Sequence, residues 1–330
     1  MPVAIVGAGF SGTLLAAQLA RRGVHSVLIE ARGEGGAGAA YSTPETGHLL
    51  NVPAEGMSAW PDRPDDFAAT WAEYGGAKTD FAPRLAYGRY LRAILEGAVA
   101  SGFVRLVRGT ATSAEKRDDG WLLHLADGSA FRCLHLVLAT GNEPPQPPDW
   151  AQKLDRGFVT DPWSEQARRA IAAAAKKDQD VLIVGTGLTM IDTVLSLDFA
   201  GHEGRTVALS RRGLLPRSHA QWTPAPVGID EVPRTGLKGL ARWLRERSAK
   251  FGWIAAVNAL RPHSQLLWKQ LGTVEQRRFL RHARPWWDVH RHRIAPQAAK
   301  RISELVEAGR LEIIAGRVAD ALASDDGRPK

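Results

Sequence analysis

The chain has 330 residues, 44% of them hydrophobic and 24% charged, a length and composition that suit two globular domains with real cores. Lys and Arg exceed Asp and Glu by 43 to 35, giving a net charge of +8, and there is a single cysteine, Cys133. One cysteine excludes an intrachain disulfide and a CxxC dithiol, and with them any chemistry that passes electrons to a cysteine pair. Met1-Pro2 leads straight into an apolar strand with no signal-like or membrane-spanning run, so a cytoplasmic protein with no membrane association is expected.

The first element is a strand, Val3–Val6, followed by Gly7-Ala8-Gly9-Phe10-Ser11-Gly12 and a helical run through Ala20. A GxGxxG phrase means little alone, but strand before and helix after are the context in which it cradles a dinucleotide. Gly7 serves the tight turn, Gly9 lets backbone approach a pyrophosphate, and Gly12 lets helix and strand pack closely. The next strand, Ser26–Ile29, ends in Glu30, the place for an acid that binds ribose hydroxyls.

A glycine-rich stretch (33–38) and an irregular, charge-poor segment over 49–58 follow, and the latter suits a loop that covers a ligand. Helices are expected near 65–75 and 84–100, with Tyr87, Leu91, Ile94 and Leu95 on one face of the second. Strands at 104–107, 111–117 and 121–125, with turns at Asp118-Asp119-Gly120 and Asp127-Gly128, read as a β-meander. Leu134–Leu138 reads as a buried strand ending in Ala139-Thr140-Gly141. Pro144, Pro145, Pro147 and Pro148 then stiffen a boundary, which gives a first domain over 1–150 and a linker over 151–177.

The pattern restarts at Val181–Val184, with Gly185-Thr186-Gly187-Leu188-Thr189-Met190 and a second helix. Met190 in place of the third glycine should hold that helix further from its strand. The following strand, Thr206–Leu209, ends in Ser210-Arg211-Arg212 rather than in an acid. Guanidinium groups there suit a 2′-phosphate and favour NADPH over NADH; the alternative is that both are solvated loop residues. Two cofactor cradles on one chain point to electron transfer between nucleotides.

A mostly helical insertion over about 213–305 interrupts this second domain (178–330) and holds Trp222, Trp243, Trp253, Trp268, Trp286 and Trp287. Its dense run from Arg284 to Arg293, bracketed by Pro285 and Pro296, has charges that cannot all be buried without partners, which marks it as facing a cofactor or substrate. No recognised nucleic-acid module accompanies the basic clusters, so no nucleic-acid partner is expected. Val104–Gly109 with its turn at 118–120 repeats without a gap as Leu311–Gly316 with a turn at 325–327. The sequence stops at Lys330, inside that second hairpin, and on this reading is a fragment.

These motifs, with Ala40-Tyr41-Ser42, Leu50-Asn51-Val52-Pro53, Arg84 with Tyr87–Leu91, and Asp161-Pro162-Trp163, resemble a bacterial group of two-dinucleotide-domain FAD/NAD(P)-binding proteins. That group is distantly related to the class B flavin monooxygenases. The resemblance implies an α/β fold with two Rossmann-like domains, each with a β-meander, holding FAD and NADP(H). FAD would meet Gly7, Gly9, Phe10, Ser11, Gly12, Glu30, Tyr41, Asn51, Ala111, Thr140 and Gly141. NADPH would meet Gly185, Gly187, Leu188, Thr189, Ser210, Arg211 and Arg212. The Baeyer–Villiger linker phrase is missing; its place reads Phe158-Val159-Thr160-Asp161-Pro162-Trp163. The C-terminal segment by which such proteins cover the flavin is missing too. The implied activity is an NADPH-dependent flavoprotein oxidoreductase acting on oxygen or a small organic acceptor, monooxygenase included. A non-catalytic redox sensor is the alternative. No metal site, no catalytic side chain and no oligomeric state follows from the sequence.

Overall fold

A computed structural model describes residues 2–33, 35–154 and 157–321, as a mixed α/β chain with parallel sheets. It divides into two compact units, the first Met1–Gln152 with Phe158–Arg168, the second Lys153–Gly157 with Arg169–Lys330.

Unit 1 opens with β1 (Val3–Val6), α1 (Phe10–Ala20) and β2 (Ser26–Glu30), then a short α2 (Gly38–Tyr41), α3 (Asp66–Ala72) and α4 (Arg84–Ala100). The strands β3 (Val104–Arg108), β4 (Ala111–Arg117), β5 (Gly120–Leu125), β6 (Ala130–Cys133) and β7 (His135–Leu138) complete it. β3, β2, β1 and β7 form one parallel sheet in that order, and β4–β5–β6 an antiparallel meander. β1 and β2 are short, almost fully buried apolar runs, as a parallel sheet covered on both faces requires. One core cluster joins Ile5 and Leu28 to Tyr87, Leu91 and Leu95 of α4, the helix face expected from the spacing, with Ile94 half-buried against it. A second joins Ala4, Val27 and Ile29 to Leu123, Leu125 and Cys133 of the meander. The buried-type strand expected over Leu134–Leu138 forms as β7 but is not buried, and β6, for which no strand was expected, precedes it. Ala130–Cys133 closes the meander, and only His135–Leu138 joins the parallel sheet, with Leu134 and Leu138 exposed.

Helix α5 (Glu165–Lys177) lies within the stretch read as linker. Unit 2 then carries β8 (Val181–Val184), α6 (Leu188–Phe199) and β9 (Thr206–Ser210). Its helical stretch comprises α7 (Gly236–Phe251), α8 (Trp253–Leu260), α9 (Ser264–Gln270), α10 (Thr273–Arg278) and α11 (Arg284–Arg291). α12 (Pro296–Glu307) and β10 (Leu311–Ala315) follow. A π-helical turn, Phe279–Ala283, leads into α11 just before Pro285, which has no N–H to donate back into the preceding turn. β10, β9 and β8 form a parallel sheet in that order, so β10 lies beside β9 as β3 lies beside β2. α12 and β10 thus stand where α4 and β3 stand in unit 1, and the helical stretch proper ends near residue 291 rather than 305. In unit 1 β7 pairs with the far side of β1; among the described residues nothing pairs with that side of β8, and Leu182 and Val184 are exposed. The expected turn at 325–327 lies outside the described residues.

Candidate functional site

In unit 1 the first glycine loop emerges at the C-terminal end of β1, the position at which open parallel sheets bind ligands. The Gly7 N–H donates to the Ile29 carbonyl (2.7 Å), and Gly7 has φ +99°, a left-handed turn that glycine adopts without strain. A Cβ on Gly7 would fall 2.3 Å from the Ala139 carbonyl oxygen, and one on Gly12 would fall 1.8 Å from the Gly7 carbonyl oxygen. Both glycines are therefore demanded by the protein's own backbone. Gly9 is different. It caps α1 with φ −73°, and its nearest non-neighbouring atom, Gly38 Cα, would lie 3.4 Å from a Cβ, ordinary contact. Nothing in the protein requires glycine there, whereas a pyrophosphate at the helix end would. No side chain caps α1, and among the described residues the N–H groups of Phe10, Ser11 and Gly12 have no acceptor. A helix N-terminus with free donors is suited to an anion.

Around this loop the structure gathers several of the expected residues. Glu30 accepts from the Ala8 N–H (2.8 Å) and the Arg32 N–H (2.7 Å), which fixes its carboxylate against the loop while each oxygen keeps a lone pair for a further donor. The Ala139 N–H donates to the Val6 carbonyl (2.8 Å), bringing Thr140 and Gly141 alongside, both exposed, with Gly141 at φ +75°. Tyr41 packs edge-on against Tyr87 (4.8 Å between ring centres) and beside Phe10 (5.8 Å). Burial raises the Tyr41 phenol above its ordinary pKa, with the charge of Arg84 opposing, so it stays a neutral donor.

The 49–58 segment is pinned rather than loose: Leu50 donates to Ala82 (2.9 Å), Ala54 to Asp80 (2.9 Å) and Arg84 back to His48 (2.8 Å). Asn51 lies in this ribbon, half-buried. Ala111 begins β4 at a register shift and packs against the meander core. Arg92 is a site-side residue that the sequence reading missed. It lies against Gly36, its Nε buried without an acceptor among the described residues. Its spacing does not set it apart from Arg89, the solvated arginine of the same helix.

Unit 2 repeats the cradle. The Gly185 N–H donates to the Leu209 carbonyl (2.7 Å) and Gly185 has φ +119°. Gly187 caps α6 with φ −88°, and a Cβ there would meet nothing within 4 Å. It is again a glycine the protein does not need for itself. No side chain caps α6 either, which leaves the Leu188 and Thr189 N–H groups directed outward at its first turn. Met190 is buried where Gly12 stands in unit 1, so α6 cannot repeat the close approach of α1 to its loop. Thr186 Oγ1 lies 2.8 Å from Ser210 Oγ and donates to the Leu214 carbonyl (2.6 Å), tying the loop to the end of β9. Arg211 and Arg212 follow, both exposed and with no ion pair among the described residues.

The Arg284–Arg293 run, marked as one functional element, is split by the fold. Trp287 packs against the Val232, Leu260 and Leu267 cluster, a core role. Trp286 is exposed, His290 stands edge-on to Trp253 (5.0 Å), and Arg293 is buried. No group of three His, Cys, Asp or Glu suited to a metal ion occurs among the described residues, and none of their helices is long and apolar enough to cross a membrane.

Fold and cradles together define a dinucleotide-binding α/β protein. Residues 4–143 match the protein-family model described as FAD-NAD(P)-binding, which identifies that stretch as an FAD/NAD(P)-binding domain and indicates FAD and NAD(P)H as cofactors, in agreement with the resemblance drawn from the motifs. No curated protein matches the chain in sequence. L-lysine 6-monooxygenase from Pseudomonas syringae is similar in structure, with a TM-score of 0.57 and 15% identity over 98% of this chain and 74% of that one. Ornithine hydroxylase from Pseudomonas aeruginosa gives 0.53 and 14% over 98% and 75%. Cyclohexanone monooxygenase gives 0.46 and 18%, over 69% of this chain; this chain spans 41% of its length. At these identities the likeness to the first two shows a shared fold and nothing more.

Proposed function

We propose that the chain is the catalytic core of a flavoprotein oxidoreductase, in which unit 1 (the 1–150 domain) holds FAD and unit 2 (the 178–330 domain) holds NADPH. Electrons pass from NADPH by way of FAD to oxygen or a small organic acceptor, in a cytoplasmic setting. The observation that carries this reading is the pair Gly9 and Gly187. Each sits at an uncapped helix N-terminus, with ordinary φ and room for a side chain that only a bound pyrophosphate would fill.

In unit 1, Gly9 and the first-turn N–H groups of α1 would hold the pyrophosphate and Glu30 the adenosine ribose. Ala111 would flank the adenine, while Tyr41, Asn51, Thr140 and Gly141 would border the remainder. In unit 2, Gly187, Leu188 and Thr189 would hold the second pyrophosphate, with Ser210, Arg211 and Arg212 at the 2′-phosphate. Bound FAD supplies the two-electron chemistry, accepting hydride and passing electrons onward, so the protein's task is to bind, orient and exclude water. Monooxygenation is a candidate outcome. It is supported by the names of the two fold neighbours and by the lack of a second cysteine to receive electrons.

The test is the visible spectrum of the purified protein, followed by NADPH addition under air. A yellow protein that NADPH bleaches and that then turns over steadily is the expected result. Protein that takes up no FAD overturns the reading, and one reduction without turnover on any acceptor moves it to a redox sensor.

A further inference from the structure

The arginine-rich stretch of unit 2 contains one side chain that the cofactor reading does not use. Arg293 follows α11 and is 3% exposed. Its Nη2 donates to Asn258 Oδ1 on α8 at 2.6 Å, and its guanidinium lies 5.8 Å from the Trp253 ring centre. Among the described residues it makes no other polar contact: Nε is buried without an acceptor, and no carboxylate comes within ion-pairing distance. Asp288, the acid of this stretch, faces Arg284 (3.2 Å) and His292 (4.0 Å) instead. Burial and the like charge of Arg261 both work against the charged form of Arg293. A cation taken out of water without a counter-ion is among the costliest features a fold can keep, so its retention asks for a partner.

The place suits a ligand. The Arg217 N–H donates to the Val289 carbonyl (2.9 Å), and the Ile294 N–H donates to the Arg217 carbonyl (3.0 Å). Residues 217–219 thus run beside 289–294. Three residues back, Leu214 accepts from Thr186 of the glycine loop. That span is at most ~11 Å, so the neighbours of Arg293 stand close to the end of the sheet at which a dinucleotide would lie.

We propose that Arg293 is an anion-anchoring residue, its guanidinium held by Asn258 and Trp253 to take an oxyanion, carboxylate or phosphate, of a small molecule bound to unit 2. The planar fork suits two oxygens at once. The oxyanion belongs either to an organic acid distinct from the cofactor or to a phosphate of the dinucleotide. The inference does not rest on the NADPH preference, which is assigned to other residues.

The experiment compares the full chain with R293Q and R293K, all in an R211S/R212S background that removes the two exposed cations following β9. Melting is followed against inorganic phosphate and against succinate, each balanced with chloride to equal ionic strength. The parent should be stabilised by at least one of the two. R293Q should bind at least tenfold more weakly, and R293K should fall between, since it keeps the charge and loses the fork. Without added anion, R293Q should melt no lower than the parent, because an unpaired buried charge is gone. NADP⁺ affinity, measured with Arg211 and Arg212 intact, assigns the source. A tenfold loss in R293Q places the oxyanion on the dinucleotide, and no loss places it on a separate acid. A parent that responds to neither probe, or an R293Q protein that melts lower yet responds equally, overturns the proposal. Should R293Q fail to fold, R293K with unchanged anion affinity overturns it as well.

Discussion

Glycine positions that look equivalent in the fingerprint differ in what they would lose. Gly12→Ala drives a methyl into the Gly7 carbonyl and should destabilise unit 1 by several kcal/mol, or prevent it from folding. Gly9→Ala meets only ordinary contact and should leave the melting temperature within a degree or two. FAD should nevertheless be lost, because the methyl occupies the place of the pyrophosphate. G9A protein that purifies as yellow as the parent would sink the assignment of Gly9. In unit 2, Arg211 and Arg212 stand exposed with no ion pair among the described residues, so their removal costs the fold little. Each charge-assisted contact to a 2′-phosphate is worth roughly 1.5–3 kcal/mol, so R211S/R212S should weaken NADPH at least tenfold and leave NADH nearly unchanged. Equal losses for the two cofactors, measured by titration, would refute the preference.

Among elements, the packing of α6 on α12 depends on a charged clamp. Asp198 accepts from Arg301 Nε (2.7 Å) and Nη2 (2.7 Å) while Arg310 lies 3.4 Å away. Hydrogen bonds from Arg301 hold the Asp198 carboxyl below its ordinary value of 3.8, with burial opposing and the charges of Arg301 and Arg310 helping. A depressed folded value means a contribution that is complete above the unfolded pKa and lost as pH falls through the folded one. D198N should therefore cost unit 2 about 1 kcal/mol near neutrality, discounted because Arg301 is half exposed. The difference from the parent, read by urea unfolding, should close as pH drops below 3.8. A gap that persists there would assign the loss to packing rather than charge.

At the scale of the whole molecule, the fate of the electrons decides the enzyme class. A site that shelters its oxygen chemistry from water releases little peroxide until substrate is present, whereas an open one releases it continuously. With NADPH and air but no added acceptor, a monooxygenase should consume NADPH with peroxide well below the NADPH used. Peroxide equal to NADPH throughout would favour an oxidase or reductase. Oxygen-electrode and peroxide assays on the same sample distinguish the two.

How much of this was legible beforehand follows from range. The sequence alone determined both glycine loops, their strands and helices, the apolar face of α4 and the basic end of β9, since each is written in contiguous residues or in short periodic spacing. It also carried the repeat that places β10 beside β9 as β3 lies beside β2. It missed β6, which a single residue, Leu134, separates from β7 although the two belong to different sheets. Tertiary structure alone decided which glycines the backbone needs and which remain open, since that depends on Ala139 and Gly38, far along the chain. It likewise sorted one basic, tryptophan-rich run into core (Trp287), surface (Trp286) and a buried cation (Arg293). Burial is set by what distant segments pack against a residue, and no local pattern of charge contains that information.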